Sequence, residues 1–161
     1  MHTTPASGQR FSAGLLPFRH HGGHLEVFLV HMAGPYWAHK DDGAWSVAKG
    51  EYNPATAQPW EVAQREFAEE VGIPAPAGER WDLGETRLPS GKRVKVYAVH
   101  TDAPLAFVSS NLFEMEWPRG SGQITQFPET DAAQWFPLSV AEIKIVSGQR
   151  PVLSQLVHAL A

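Results

Sequence analysis

The sequence predicts an α/β fold in which strands and helices are mixed rather than alternating in a regular repeat. Three observations lead there. Trp60, Ala63, Phe67 and Val71 recur at steps of three and four, which lays an apolar stripe along one side of a helix. Val94, Val96 and Ala98 alternate with Lys95, Tyr97 and Val99, the period of a strand. Between such segments stand turn-forming runs, among them His20-His21-Gly22-Gly23-His24 and Pro89-Ser90-Gly91-Lys92.

The elements follow in order. Residues 1–10 carry no pattern and are expected to be loose. Ser12–Phe18 and Leu25–His31 read as strands joined by the HHGGH turn. The stretch 34–45 is a loop rich in aromatic and charged residues, and Trp45–Val47 a short strand leading to Lys49-Gly50. A helix should run from Pro59 to Val71. Proline suits a first turn, where its missing N–H costs nothing, and Gly72 suits the left-handed residue that ends a helix. Trp81–Leu88 and Arg93–His100 read as a hairpin, 103–126 as a long irregular stretch, and Ala133–Phe136 as a short strand. Ser139-Val140-Ala141-Glu142 has the form of a capping box opening a second helix. Pro151 falls in the first turn of a last helix reaching about Leu160.

Composition bounds the function. A chain of 161 residues is expected to be one domain, long enough to bury a full core, and its 43% hydrophobic content is ordinary for a globular protein. The net charge of −4 argues against broad attraction to nucleic acid or membrane surfaces. There is no cysteine, hence no disulfide framework or thiol chemistry. The first residues lack the apolar core of a signal peptide, and no stretch approaches the roughly 18 apolar residues of a membrane span. A cytoplasmic location is the expectation.

The densest chemistry lies in Arg65-Glu66-Phe67-Ala68-Glu69-Glu70-Val71-Gly72-Ile73. On a helix Glu66 shares one flank with Glu69 and Glu70, and like charges so placed repel by a few tenths of a kcal/mol per pair. A plain acidic, solvated face would account for a lone run of this kind. A hard cation that prefers oxygen ligands would turn the repulsion into binding.

The larger pattern favours the second account. Gly50 to Ile73 resembles the signature of the Nudix hydrolases: a glycine, five residues, Glu, seven residues, Arg-Glu, an apolar residue, any residue, Glu-Glu, any residue, Gly, an apolar residue. Arg65, Glu66, Phe67, Glu69, Glu70, Gly72 and Ile73 match its second half in order and spacing, and Gly50 matches its opening glycine. One feature departs. Fourteen residues stand between Gly50 and Arg65 where the pattern has thirteen, and the first signature glutamate is replaced by Thr56 or Ala57, depending on the direction of counting. Glu61, four residues before Arg65, could pair with it instead.

The resemblance implies an α/β/α sandwich with a mixed sheet, and hydrolysis of a nucleoside diphosphate linked to another group X, with Mg²⁺ or Mn²⁺ as cofactor. It implies Glu66, Glu69, Glu70 and the Gly50 carbonyl as metal ligands, Glu66 or a neighbour as base, Arg65 as an orienting cation, and Lys49 as a phosphate contact. A further acidic ligand is expected outside the helix. Glu129, six residues before Trp135, is the first choice, and Glu114 and Glu116 are the second. Tyr36, Trp37 and Trp117 could stack on a nucleobase, although such aromatics are more often loop anchors. His20, His21 and His24 are close enough for a transition metal, but a solvated turn explains them better. The expected partner is a small nucleotide, with nucleoside triphosphates and dinucleoside polyphosphates ahead of nucleotide sugars and ADP-ribose. A nucleotide-binding regulatory module with little or no catalysis is the alternative.

Overall fold

The computed structural model describes residues 10–161; the expectation of a loose 1–10 segment falls almost wholly outside them. A seven-stranded mixed sheet forms the middle layer. Its strands are β1 (Phe11–His21), β2 (His24–Met32), β3 (Trp45–Ser46), β4 (Ala48–Tyr52), β5 (Arg80–Arg87), β6 (Arg93–His100) and β9 (Thr130–Pro137). A separate two-stranded sheet pairs β7 (Leu112–Glu116) with β8 (Ile124–Pro128). The helices are α1 (Pro59–Val71), α2 (Leu138–Lys144) and α3 (Arg150–Leu160).

β1 organises the sheet. It runs parallel to β6 along one edge, from Phe11↔Arg93 to Phe18↔His100. Along its other edge it pairs antiparallel with β4 over its first half and with β2 over its second. Successive side chains of a strand point to opposite faces. Leu16 and Phe18, Val27 and Leu29, and Val94, Val96 and Ala98 therefore build one core beneath α2 and α3, with Ala141, Ile145, Val152, Leu153 and Leu156. Ala13 and Leu15, Phe28 and Val30, and Tyr97 and Val99 build the other beneath α1, with Val62, Ala63, Phe67 and Val71. Strands buried on both faces read as continuous apolar runs, and helices on both sides of one sheet make the α/β/α sandwich.

α1 has the predicted bounds. Pro59 occupies its first turn, and Gly72 ends it in the left-handed conformation, φ 85°, donating to the Ala68 carbonyl. The β1–β2 turn places Gly22 and Gly23 at φ 58° and 79°, with the surrounding histidines exposed.

Four sequence expectations need correction. The strand at Trp45 ends at Ser46, and a further strand, β4, carries Lys49-Gly50. It pairs with β1 although only Ala48 and Tyr52 are apolar, so its partner and not its composition makes it a strand. The 103–126 stretch is not irregular throughout, because β7 and the start of β8 lie within it. α2 exists, but its N-cap is Pro137 and no side chain caps it, so the capping box does not form. Arg65 does not pair with Glu61; its guanidinium turns forward to Glu66 Oε1 at 3.6 Å and Glu69 Oε1 at 3.8 Å. No helix among the described residues is long and apolar enough to cross a membrane.

Candidate active site

A polar groove of about 480 Å³ opens between α1 and the sheet. It is lined by five carboxylates (Glu51, Glu66, Glu69, Glu70, Glu129), three cations (Arg10, Lys49, Lys92), and Ser12, Gly50 and Asn111.

Each acid is placed by a distinct local cause. Glu66 lies directly against Gly50, where a Cβ would fall within its carboxyl group. The opening glycine thus has a steric reason: no side chain leaves room for Glu66. Glu70 faces inward from the buried side of α1, and its Oε2 accepts the Lys49 backbone N–H at 2.9 Å. Glu69 is more exposed and holds Arg65. Glu129 sits between β8 and β9; its N–H donates to Asn111 O at 3.0 Å and its carbonyl accepts from Ala33 at 3.1 Å. Just beyond it β9 carries a bulge: Met32 and His31 face Thr130 and Ala132, leaving Asp131 between them unpaired. Bulges re-aim side chains beside sites. Here the bulged Asp131 binds the His31 ring at 2.6 Å, and the other ring nitrogen donates to Lys40 O at 2.6 Å. That link ties the 33–44 loop to β9.

The end of α1 is secured by the segments it faces. A helix leaves its last carbonyls without intrahelical partners. The Glu69 carbonyl accepts from the Asn111 N–H at 2.9 Å, and the Val71 carbonyl from Val108 at 2.8 Å and Ser109 at 3.2 Å. The Thr130 hydroxyl donates to the Glu70 carbonyl. One set of bonds thus satisfies the helix end and brings Glu129 to the signature glutamates.

The acids strain one another. Burial raises the Glu66 carboxyl above its ordinary range, and the nearby Glu69 adds to the rise while Arg65 opposes it. Glu70 is raised much further, by burial and then by Glu66, with Lys49 opposing. Burial raises Glu129 too, and Lys49 opposes it. Lys49 itself is lowered by burial and by Lys92. Carboxylates concentrated in one groove with their charge disfavoured have the chemistry of a hard-cation site. Among the described residues, no three acidic or histidine side chains yet close on a common point tightly enough to hold an ion. The donor set fits a divalent cation in kind, and an ion would draw the carboxylates in.

The other predicted residues divide. Glu114 is exposed on β7, and Glu116 accepts the Gly120 N–H at 2.6 Å; neither lines the groove. Tyr36, Trp37 and Glu114 line a second pocket of about 320 Å³, with Met32, Phe113 and Met115, and Glu129 borders both cavities. Trp117 lines neither but packs edge-on against Tyr36, ring centroids 5.5 Å apart. Sequence reasoning missed Arg10, Glu51, Lys92 and Asn111. The first three are scattered along the chain and meet only through the pairing of β1 with β4 and β6.

At the position of the missing signature glutamate, Asn53 closes the loop. Its side chain accepts from Ala55 N–H at 2.9 Å, and its carbonyl accepts from Thr56 and Ala57, both at 3.0 Å. Asparagine commonly makes such turns on its own backbone.

The comparisons agree with this fold. The NUDIX domain family model matches residues 8–156, nearly the whole chain, and the chain belongs to the Nudix family. Among solved structures, the Nudix domain of Shewanella oneidensis NrtR complexed with ADP ribose is 15% identical, with TM-score 0.63, covering 95% of this chain and 89% of its own. A C. elegans Ap4A hydrolase binary complex is 19% identical, with TM-score 0.61 and coverages of 92% and 97%. RenU, a Nudix hydrolase from M. smegmatis, is 20% identical, with TM-score 0.55 and coverages of 92% and 84%. At these identities the likeness is one of fold. A comparison with curated proteins finds no match.

Proposed function

We propose that the chain, acting as one domain, is a divalent-metal-dependent hydrolase of a pyrophosphate bond in nucleoside-diphosphate-X compounds. Nucleoside triphosphates and dinucleoside polyphosphates are the favoured substrates. The observation that carries this is the gathering of Glu66, Glu69, Glu70 and Glu129 around one groove that also holds Lys49. Those four carboxylates and the Gly50 carbonyl would hold Mg²⁺ or Mn²⁺. A bound ion there would make a coordinated water acidic and offset charge on phosphate oxygens.

The chain's own groups do the rest. Water attacks phosphorus, the P–O bond of the anhydride breaks, and the phosphate leaving group departs with the bridging oxygen. Glu66 accepts the proton of the water as general base. Lys49 meets the phosphate charge, and Arg65 holds Glu66 and Glu69 in orientation. The second pocket receives the base of the nucleotide beside Tyr36 and Trp37.

The neighbours are consistent in kind: one solved relative is named as an Ap4A hydrolase and another is complexed with ADP ribose. The missing signature glutamate favours one alternative, a Nudix-fold module that binds a nucleotide without turning it over. A hydrolysis screen across nucleoside triphosphates, dinucleoside polyphosphates, nucleotide sugars and ADP-ribose, with Mg²⁺ and with Mn²⁺, separates the two. Turnover of the first two classes is expected. Binding without turnover of any class would establish the regulatory module.

A further inference from the structure

One end of the groove carries charge that a four-carboxylate cation site does not use. Arg10 Nη1 and Lys92 Nζ both reach the same oxygen of Glu51, at 3.8 and 3.3 Å. The three residues are distant in sequence and adjacent in the sheet. Arg10 precedes β1, and its carbonyl accepts the Arg93 N–H at 2.9 Å, which fixes it beside Lys92 at the start of β6. Glu51 lies on β4 opposite Ser12 of β1. Side chains two apart on a strand share a face, so Glu51 points with Lys49 into the groove. Lys49 and Lys92 line the groove together with Glu70 and Glu129. Arg10, Lys49 and Lys92 thus share one groove with the four carboxylates.

We propose that Arg10 and Lys92 form a distal-phosphate subsite in which Glu51 holds the place of an anionic phosphate group until substrate displaces it. The proposal rests on the hydrolase reading above and sharpens it to substrates with three or more linked phosphates. In a diphosphate-linked compound both phosphates are used at the carboxylate centre, and none is left for the cation pair. A longer chain brings an extra anionic group to a pair of cations already fixed at the right spacing by one carboxylate oxygen. The resident contacts are easily exchanged. The side chains of Arg10, Glu51 and Lys92 are 59%, 44% and 30% exposed, and exposed ion pairs contribute little to stability. Phosphate, with more charge and more acceptor oxygens than a carboxylate, makes the stronger charge-assisted bonds. The second pocket shares Glu129 with the groove, and the cation pair lines that groove with Lys49. A nucleotide so placed has its base beside Tyr36, its first phosphates at the glutamates and its chain end at Arg10 and Lys92.

The test compares inorganic tripolyphosphate with pyrophosphate, each at saturating Mg²⁺, by titration calorimetry on the full chain. Lys92→Gln and Arg10→Gln are each expected to weaken tripolyphosphate by about tenfold, the scale of one charge-assisted contact, and pyrophosphate by less than about twofold. Glu51→Gln, which removes the resident anion, should tighten tripolyphosphate instead. A purely structural ion pair would not separate tripolyphosphate from pyrophosphate. Equal effects on both ligands, no effect on either, weaker binding in Glu51→Gln, or no tripolyphosphate binding by the wild-type protein would overturn the proposal. Melting curves of each variant establish that the protein is folded. Because the readout is binding, it decides the subsite even if the hydrolysis screen returns no substrate.

Discussion

The groove against α1 and the pocket beneath the 33–37 loop share Glu129 and are otherwise unlike. The groove is built of ionisable groups held by backbone contacts, with Glu70 fixed by the Lys49 N–H and Glu66 seated on Gly50. The pocket is built of Met32, Tyr36, Trp37, Phe113 and Met115, drawn from the end of β2, a loop and the β7–β8 hairpin. Catalytic groups need fixed geometry, and regular elements supply it better than loops. Recognition of a planar group tolerates more give, and a loop supplies that between its tethers, which are His31 to Lys40, Ala33 to Glu129, and Lys144 to Asp41 and Asp42. The difference implies that groove variants change turnover and pocket variants change affinity.

The largest effect should come from Glu66→Gln, which keeps the shape against Gly50 and removes the charge. Turnover should fall by at least about a hundredfold, the range in which a general base contributes. Steady-state rates read it, with a melting curve to establish the fold; an unchanged rate would move the chemistry out of the groove.

The shared acid comes next. Glu129→Gln should slow turnover by roughly tenfold or more, in the range seen when groups supporting a metal site are lost. Glu114→Gln and Glu116→Gln should stay within about twofold, a barrier change well under 1 kcal/mol. If Glu116→Gln is the severe one, the two cavities are wrongly assigned.

On the pocket side, Tyr36→Ala removes a ring that stands against Trp117 and borders the pocket. Losing a stacked base contact should raise KM by about tenfold and leave kcat nearly unchanged. A fall in kcat at constant KM would contradict the division of labour.

The smallest effects concern the departed signature position. Asn53 already closes that loop, so Ala57→Glu should leave turnover within about threefold, under 1 kcal/mol of barrier. Glu61→Gln should be silent, since Arg65 pairs with Glu66 and Glu69 instead. A tenfold gain in Ala57→Glu would mark the natural chain as a weakened hydrolase and strengthen the regulatory alternative.

What could be read from the sequence was local. The α1 helix declares itself through a 3.6-residue period, a proline start and a glycine end, all within one segment. The carboxylates on it follow from the same period. The β1 and β2 strands declare themselves through central apolar runs buried on both faces, and β6 through the alternation of Val94, Val96 and Ala98 with Lys95, Tyr97 and Val99. The β7–β8 hairpin was hidden: Leu112, Glu114, Glu116, Ile124 and Gln126 are exposed, the other residues of its strands are only half-buried, and none is fully buried. The β4 strand was hidden because β1 specifies it. The Arg10–Glu51–Lys92 cluster exists only through parallel and antiparallel pairing across the sheet, which no local window contains. Gln149 is of the same kind. It is buried near the start of α3, accepts the Val47 N–H at 3.0 Å and donates to Ser46 Oγ at 3.0 Å, and so steadies the approach to Lys49-Gly50 from across the chain.

The central claim is that the groove carboxylates hold a divalent cation as one site. Equilibrium Mn²⁺ binding, followed by the electron paramagnetic resonance signal of free ion, tests it most directly. Wild-type protein should show saturable binding, and Glu66→Gln and Glu70→Gln should each weaken it by about tenfold or more, since each removes a charged oxygen ligand. The same isotherm for wild type and both variants would contradict the account.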